Sequence, residues 1–159
     1  MSKFWKYIIV FLVSMVPIIE LRGAIPIAID VYGLNLVPSF LIAIIGNMLP
    51  VPFIYWFARK VLEWGKDKKA IGKFFTWCLN KGEKAGNKLK KSIGSKGTFA
   101  ALLIFVGIPL PGTGAWTGTL AASFLDLDFK KTIIAVMCGV VLAGIIMGIF
   151  SYGLLGVIS

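Results

Sequence analysis

The sequence contains no histidine, and this absence removes several kinds of chemistry at once. Metal sites built on imidazole, and Ser-His or Cys-His nucleophilic catalysis, all need that side chain. Cysteine is scarce as well: Cys78 and Cys138 have no nearby partner for a disulfide and no CxxC spacing. No clustered carboxylates offer an alternative catalytic constellation. We therefore expect a protein without enzyme activity, catalytic residues, metal or cofactor.

Charged residues are also few, and they are missing from long parts of the chain. They make up 15% of the 159 residues, whereas hydrophobic residues make up 58%. Residues 36–58, 97–125 and 132–159 carry no charge at all. Each run exceeds the roughly 20 residues that cross a bilayer as a helix. The sequence predicts an all-α, multi-pass integral membrane protein that forms a single domain, 1–159.

The positive charge is concentrated in one segment between apolar runs. Residues 59–97 hold twelve of the 17 Lys and Arg, in a chain with a net charge of +10. This distribution is typical of a cytoplasmic loop under the positive-inside rule, so we expect no nucleic acid partner. Part of the segment has the pattern of a basic amphipathic helix on an anionic leaflet. Such a helix either anchors the topology or gathers an anionic lipid.

The first unusual apolar stretch contains an acid, a base, a glycine, a proline and a second acid. These residues are Glu20, Arg22, Gly23, Pro26 and Asp30. Charged side chains at membrane depth are costly, and they usually face a cavity and mark a substrate or proton path. Gly23 and Pro26 predict an interruption of the helix at the same place.

The segments around this interruption are short for membrane crossings. Phe4–Ile19 reaches roughly 24 Å as a helix, and Ala24–Tyr32 is about half a crossing. They predict a re-entrant hairpin, with a short tilted span as the alternative. Leu36–Ala58 follows as the first full span, kinked or unwound near Pro50. Its Asn47 either hydrogen-bonds a neighbouring helix or lines a cavity.

A second interruption, Pro109–Gly114, lies about ninety residues further on. It separates two arms, Thr98–Ile108 and Ala115–Leu125, each about half a membrane long. Free amides at such a break can receive an anionic group at a helix N-terminus. The alternative is a simple helix–turn–helix buried between spans. Thr132–Ser159 then predicts the last span.

These segments predict two repeats of the same architecture. Residues 1–58 and 98–159 each consist of a re-entrant helical hairpin and a transmembrane helix, joined by the basic cytoplasmic segment 59–97. Because the basic segment ends the first half and begins the second, one long span per half should make the two repeats inverted. We expect their apices, Glu20–Pro26 and Pro109–Gly114, to meet near the midplane.

Three of these motifs resemble the small multidrug export protein family of bacteria: Glu20–Pro26, Gly46–Pro50 and Pro109–Trp116. The layout is more distantly similar to the DedA superfamily, which shares the VTT domain, through Tyr55–Arg59 and Phe129–Lys131. This resemblance implies a proton-coupled transporter, or a flippase of lipid carriers such as undecaprenyl phosphate. It also implies residence in the bacterial cytoplasmic (inner) membrane.

The same resemblance suggests roles for particular residues. Glu20 and Asp30 stand where the family's two acids are expected. Thr113 and Gly114 stand where the superfamily has arginines, and a later arginine pair is lysine here.

We favour translocation of an anionic lipid or amphiphile through a site between the two breaks. Glu20 and Asp30 would carry the coupled proton. The predicted substrate-binding residues are Arg22, Asn47, Thr113, Gly114 and Trp116. The expected partners are membrane lipids, protons, a lipid-phosphate or amphiphilic substrate, and a second copy of the chain in a homodimer.

Three alternatives stay open. The protein could export hydrophobic cations, with Glu20 as the counter-ion and Trp116 in an aromatic cage. It could be a structural or assembly protein that transports nothing. Glu20 and Arg22 could also pair with each other or extend to the membrane edge instead of binding a substrate.

Overall fold

The computed structural model describes residues 2–17, 19–110 and 112–158, with side chains through Gly153. Within these ranges the chain is helical and contains no strand. The elements are, in order, α1 (Lys3–Met15), α2 (Glu20–Pro26), a π-helical segment (Ile27–Val31), α3 (Leu36–Met48), α4 (Val51–Lys66), α5 (Gly72–Gly107), α6 (Ala115–Phe124) and α7 (Phe129–Ile158).

The first helix break lies earlier than the sequence suggested. Val16 is extended, with a ψ of 129°, and α2 begins at Glu20. Pro17 explains this position, because a proline forces the residue before it out of the helical region. The prediction of a break over Glu20–Pro26 is therefore wrong. The helix instead runs through Gly23, whose N–H donates to the Ile19 carbonyl at 3.0 Å.

Pro26 is accommodated inside a helix. It lacks the N–H that would close a regular turn, and its ring crowds the turn before it. The chain responds by widening into the π-helical segment Ile27–Val31 directly after the proline. Lys6, near the start of α1, donates to the Tyr32 carbonyl at 3.0 Å, just past the end of that segment. α1 and α2 with its π-helical extension therefore form an antiparallel hairpin.

The span expected at Leu36–Ala58 is interrupted, as its prolines predicted. α3 ends at Met48 and α4 begins at Val51, with a turn at Leu49–Pro50. Taken together, Leu36–Lys66 is a 31-residue candidate for a membrane span.

The second predicted break is present. α5 ends at Gly107 and α6 begins at Ala115, so the helices stop and restart on either side of Pro109–Gly114. α5 also bends at Gly94, whose φ of 68° is left-handed and suits glycine alone. α5 crosses the predicted boundary between residues 97 and 98, and the division into two repeats and a linker stays a prediction. Re-entrant insertion and inversion are defined relative to a membrane, and both also stay predictions.

Helix α7 packs against α2, α3, α5 and α6. Its Gly139 lies so close to α5 that a Cβ there would stand 2.8 Å from the Leu103 carbonyl oxygen. Gly144 similarly meets the ring of Phe40 in α3 and the side chain of Leu21 in α2. Small residues that let helices approach closely are the usual basis of packing in lipid, where apolar contact with a neighbour brings little advantage over contact with acyl chains.

Large apolar side chains remain exposed along the candidate spans. Phe53 and Phe57 of α4 are 72% and 70% exposed, and Ile149 of α7 is 69% exposed. In the candidate spans Leu36–Lys66 and Phe129–Gly153, only 33% and 39% of the most apolar window is buried. A core helix of a soluble protein would be mostly buried, so these faces are suited to lipid.

The close approach of α5 to the end of α6 yields a stability prediction. A Cβ on Gly86 would overlap the carbonyl oxygen of Leu125, whereas a Cβ on Gly153 would meet nothing within 4 Å. We expect Gly86→Ala to destabilise the protein by about 1–3 kcal/mol through overpacking. Gly153→Ala should leave stability unchanged or raise it, because alanine favours helix. Thermal unfolding of both purified variants in detergent measures this, and equal melting temperatures would contradict the packing.

Candidate functional site

The two helix breaks hold each other through the side chain of Glu20. This residue is 4% exposed, and its carboxylate accepts hydrogen bonds from the backbone N–H groups of Ala115 at 3.2 Å and Trp116 at 3.0 Å. Those two residues are the first of α6, where amide groups have no partner within the helix and the dipole is positive. A buried carboxylate at this position caps the helix and has its own charge compensated.

The backbone on both sides of this contact is adapted to it. Glu20 has a φ of 50°, which is uncommon for a residue other than glycine. Gly114, just before α6, has a φ of 138°, and a Cβ there would overlap the Glu20 carboxylate. Only glycine can therefore stand at position 114 while Glu20 reaches the amides.

Arg22 reaches the other side of the same break. Its guanidinium donates to the carbonyl oxygen of Leu110, to the Val106 carbonyl at 3.5 Å and to the Thr113 hydroxyl at 2.9 Å. The carbonyls lie at and just beyond the C-terminal end of α5, where carbonyl groups lack helical partners and the dipole is negative. The Nε of Arg22 is buried and has no hydrogen-bond partner in the described part of the chain.

A reciprocal contact joins the second break to the first. The indole Nε1 of Trp116 donates to the carbonyl oxygen of Met15, the last residue of α1, at 3.2 Å. We call the set of Glu20, Arg22, Thr113 and Trp116, with the helix ends they bond, the interlock. In it, side chains from each break satisfy helix ends at the other break.

The interlock contains one negative and one positive side chain. Residues 7–19 and 97–125, which surround it, carry no charge. Glu20 and Arg22 form no ion pair with each other; the ion pairs in the described ranges join Arg59 to Glu63 and to Asp126. The charge of each is instead compensated by a helix end of the second break.

Two predicted site residues lie apart from the interlock. Asn47 is buried in α3 at 2% exposure, and its Oδ1 finds no hydrogen-bond partner among the described residues. Asp30 is exposed on the π-helical segment, ten residues beyond Glu20 along one continuous helix and thus on the order of 15 Å away. The structure brings together Glu20, Arg22, Thr113, Gly114 and Trp116. The roles assigned to all seven residues stay predictions.

Sequence reasoning missed the partners of the two charged side chains. The free amides at the second break were expected to receive a substrate anion, whereas the two amides that bind an anion here, those of Ala115 and Trp116, donate to Glu20. The carbonyl oxygens of Val106 and Leu110 that accept from Arg22 belong to the backbone, so no side chain in the sequence identifies them. One feature of the sequence indicated a backbone partner for Glu20: no charged residue near the second break could pair with it.

An open groove beside the interlock is lined by aromatic side chains. It has a volume of about 830 Å³, and its walls include Phe53, Trp56, Phe57, Phe129 and Lys60. Trp116 also lines it, so one residue belongs both to the interlock and to the groove. The groove offers ring faces and an apolar wall to a ligand.

These features define an α-helical membrane protein with two interrupted helices whose breaks contact each other. Residues 20–146 match the family model described as "Putative small multi-drug export protein". The match covers most of the chain, and the chain belongs to this family, whose name indicates a role in membrane transport. Comparisons with curated proteins and with solved structures give no match.

The contacts of Arg22 predict that replacing it destabilises the protein more than its exposure alone would suggest. Arg22→Lys keeps the charge but loses the planar fork that reaches three acceptors at once. We expect a loss of about 1–3 kcal/mol in the free energy of unfolding. Arg59→Lys is the matched control: Arg59 pairs with both Glu63 and Asp126, but its side chain is 38% exposed, and each exposed ion pair contributes less than about 1 kcal/mol. Equal shifts of the unfolding midpoint in detergent would contradict the interlock.

The geometry around Gly114 predicts a coupling with Glu20. Gly114→Ala should destabilise more than Gly112→Ala, because Gly112 also has a positive φ, of 83°, but open space around its Cβ position. Part of the loss at Gly114 arises from overlap with the Glu20 carboxylate. We therefore expect Gly114→Ala combined with Glu20→Ala to lose less stability than the sum of the single changes. Additive losses in a double-mutant cycle would show that the two residues do not interact.

Proposed function

We propose that the protein is a proton-coupled transporter of an anionic amphiphile, in which the substrate's anionic group exchanges with Glu20 at the N-terminus of α6. The observation that carries the proposal is the pair of hydrogen bonds from Ala115 and Trp116 to the buried Glu20 carboxylate. A helix N-terminus with two free amides binds anions, and here an internal anion occupies it. The same donors can serve Glu20 or a substrate, but not both.

Protonation of Glu20 provides the switch between these two occupants. A carboxylate accepts hydrogen bonds with a full negative charge, whereas a protonated carboxyl group is neutral and has lost much of its attraction for the amides. The left-handed backbone of Glu20, with a φ of 50°, adds strain that favours release once the attraction weakens. Release leaves the amides of Ala115 and Trp116 available to an anionic headgroup.

Charge balance couples substrate binding to the protonation of Glu20. With Glu20 ionised, its charge balances that of Arg22 and the interlock is neutral. With Glu20 protonated, an unbalanced cation would remain at membrane depth, which is costly unless a substrate anion restores neutrality. An ionised Glu20 together with a substrate would leave excess negative charge. One proton therefore accompanies each monoanion, and the transport is electroneutral.

Arg22 contributes to recognition through its unused donor. Its Nη atoms hold the second break, but the buried Nε has no partner. A buried donor without an acceptor is costly, so an anionic headgroup that entered the interlock would gain a hydrogen bond there. Asp30, exposed on the π-helical segment, is the second candidate for carrying a proton to or from the surface.

Export of a hydrophobic cation is the second candidate function. It is favoured by the aromatic groove at Trp116 and by the family's description as a small multi-drug exporter. In this case Glu20 would leave the amides to pair with the cation, and a ring face of Trp116 would contribute a cation–π contact. The pH gradient would then drive the substrate in the direction opposite to the proton.

Transport in proteoliposomes separates these functions. The anionic probe is NBD-labelled phosphatidylglycerol, whose phosphodiester stays a monoanion, and its leaflet distribution is measured by dithionite quenching. Electroneutral coupling to one proton predicts about a tenfold asymmetry for each imposed pH unit, since 1.4 kcal/mol corresponds to tenfold. Glu20→Gln should move the probe but reach equal distribution, because its neutral side chain no longer follows pH.

Glu83→Gln is the control, since Glu83 is exposed in α5 and far from the interlock in sequence. It should behave as the parent protein. A Glu20→Gln variant that still follows the pH difference would refute the exchange. Tetraphenylphosphonium serves as the cationic probe, and gradient-driven movement of this probe alone would favour the second candidate. Movement of neither probe would favour a structural role without transport.

A further inference from the structure

A cavity of about 430 Å³ lies between the bend of α5 and the start of α7. Ser95, Thr98 and Lys90 line it from α5, and Lys131 and Thr132 line it from α7. Along α5 its polar rim at Ser95 is about 18 Å from the end that Arg22 holds, since twelve residues separate Ser95 from Gly107. None of the four interlock side chains lines the cavity, so it is separate from the interlock.

The polar rim of this cavity is rich in donors. Lys131 uses one ammonium donor on the Ser95 hydroxyl at 2.7 Å, and Lys90 uses one on the Asp126 carbonyl at 2.9 Å. Each ammonium group has three donors, so two remain on each lysine. The bend at Gly94, which only a positive φ allows, brings Lys90 and Ser95 to one cavity.

The carboxylates nearby are engaged elsewhere. Asp128 lines the cavity, but its Oδ1 accepts the backbone N–H of Lys131 at 2.9 Å and so caps α7. The Asp126 carboxylate is paired with Arg59. The rim therefore carries two lysines against one carboxylate and keeps a net positive charge.

The buried hydroxyl of Thr132 is a second, independent observation that points to a ligand in the cavity. It is 1% exposed, it lines the cavity, and its Oγ1 has no hydrogen-bond partner among the described residues. A buried hydroxyl without a partner is destabilising, and most such groups in proteins have one. A ligand with an acceptor oxygen in the cavity would satisfy it.

The remaining walls of the cavity are apolar. They are formed by Phe99, Leu102, Leu127 and Ala135. The chain carries no charge between residues 97 and 125 or after Lys131, so this side of the cavity faces the apolar part of the molecule. A polar, cationic rim above an apolar floor fits an anionic group attached to a hydrocarbon chain.

We propose that this cavity binds the phosphate headgroup of a lipid, with Lys90 and Lys131 facing the phosphate charge and Thr132 donating to one of its oxygens. The acyl chain lies against Phe99 and Leu102. The site is independent of the proposed transport mechanism, and it is occupied whether or not Glu20 carries a proton.

Lipid binding to the purified full-length protein in detergent tests this site. The probes are phosphatidic acid, phosphatidylcholine and inorganic phosphate, with affinities measured by native mass spectrometry and thermal shift. We expect phosphatidic acid to bind at least about tenfold more tightly than phosphatidylcholine, since hydrogen bonds to charged groups are the strong ones. Inorganic phosphate that bound as tightly as phosphatidic acid would overturn the assignment to a lipid.

A matched pair of double variants tests the lysines. Lys90→Gln with Lys131→Gln should weaken phosphatidic acid binding about tenfold or more. Lys88→Gln with Lys130→Gln removes the same charge from neighbouring exposed lysines that do not line the cavity. It should change affinity less than about twofold. Equal losses in the two variants would indicate diffuse surface attraction and overturn the proposal.

Thr132→Val separates binding from folding. In the absence of lipid it should keep or raise the melting temperature, because it removes an unsatisfied buried hydroxyl. It should also weaken phosphatidic acid binding about tenfold or more, the effect of one hydrogen bond to a charged group. A lower melting temperature with unchanged affinity would refute the role of Thr132. The Lys90 and Lys131 double variant should lose the same share of phosphatidic acid binding in a Glu20→Gln background as in the parent protein, so failure of the transport proposal would not remove this one.

Discussion

The contact of Glu20 with the N-terminus of α6 is the interaction on which the centre of the molecule depends. It places a buried carboxylate against two helix amides, and it is matched by Arg22 on the carbonyls at and beyond the end of α5. Both charges are thereby compensated without a direct ion pair. Each helix break has unsatisfied backbone groups, and the contacts join them into one polar cluster in an apolar protein. Irregular backbone within a membrane must be shielded from lipid in this way.

The remaining packing serves to hold the two hairpins in this contact. α7 packs against both, through glycines that allow α5, α3 and α2 to approach it closely. In lipid the hydrophobic effect does not drive helices together, so close contact and buried polar bonds must do so. The interlock and the glycine contacts of α7 are therefore complementary: one fixes the helix ends, and the other fixes the helix faces.

The interlock also offers a physical route to coupling. Because the surrounding segments carry no other charge, the state of Glu20 decides whether the cluster is neutral. Under the proposed function, a single proton would change both the charge balance and the availability of the α6 amides. The proposed lipid site at Lys90 and Lys131 would lie at the charged end of the same helices, where hydration makes lysine inexpensive and lipid headgroups are at hand. The two proposed sites thus differ in chemistry.

The sequence by itself determined the helical class, the membrane character, the break at Pro109–Gly114 and the turn before Val51, because proline, glycine and uncharged runs act locally. It misplaced the first break. Gly23 and Pro26 were the stronger signals, yet Pro17 ends α1, and a π-helical turn absorbs Pro26. It also could not identify the partners of Glu20 and Arg22. Those partners are mostly backbone groups, and for Glu20 they lie 95 and 96 residues away. Only the tertiary structure decided them, because every residue carries the same N–H and C=O, and which ones are free depends on where helices end and meet.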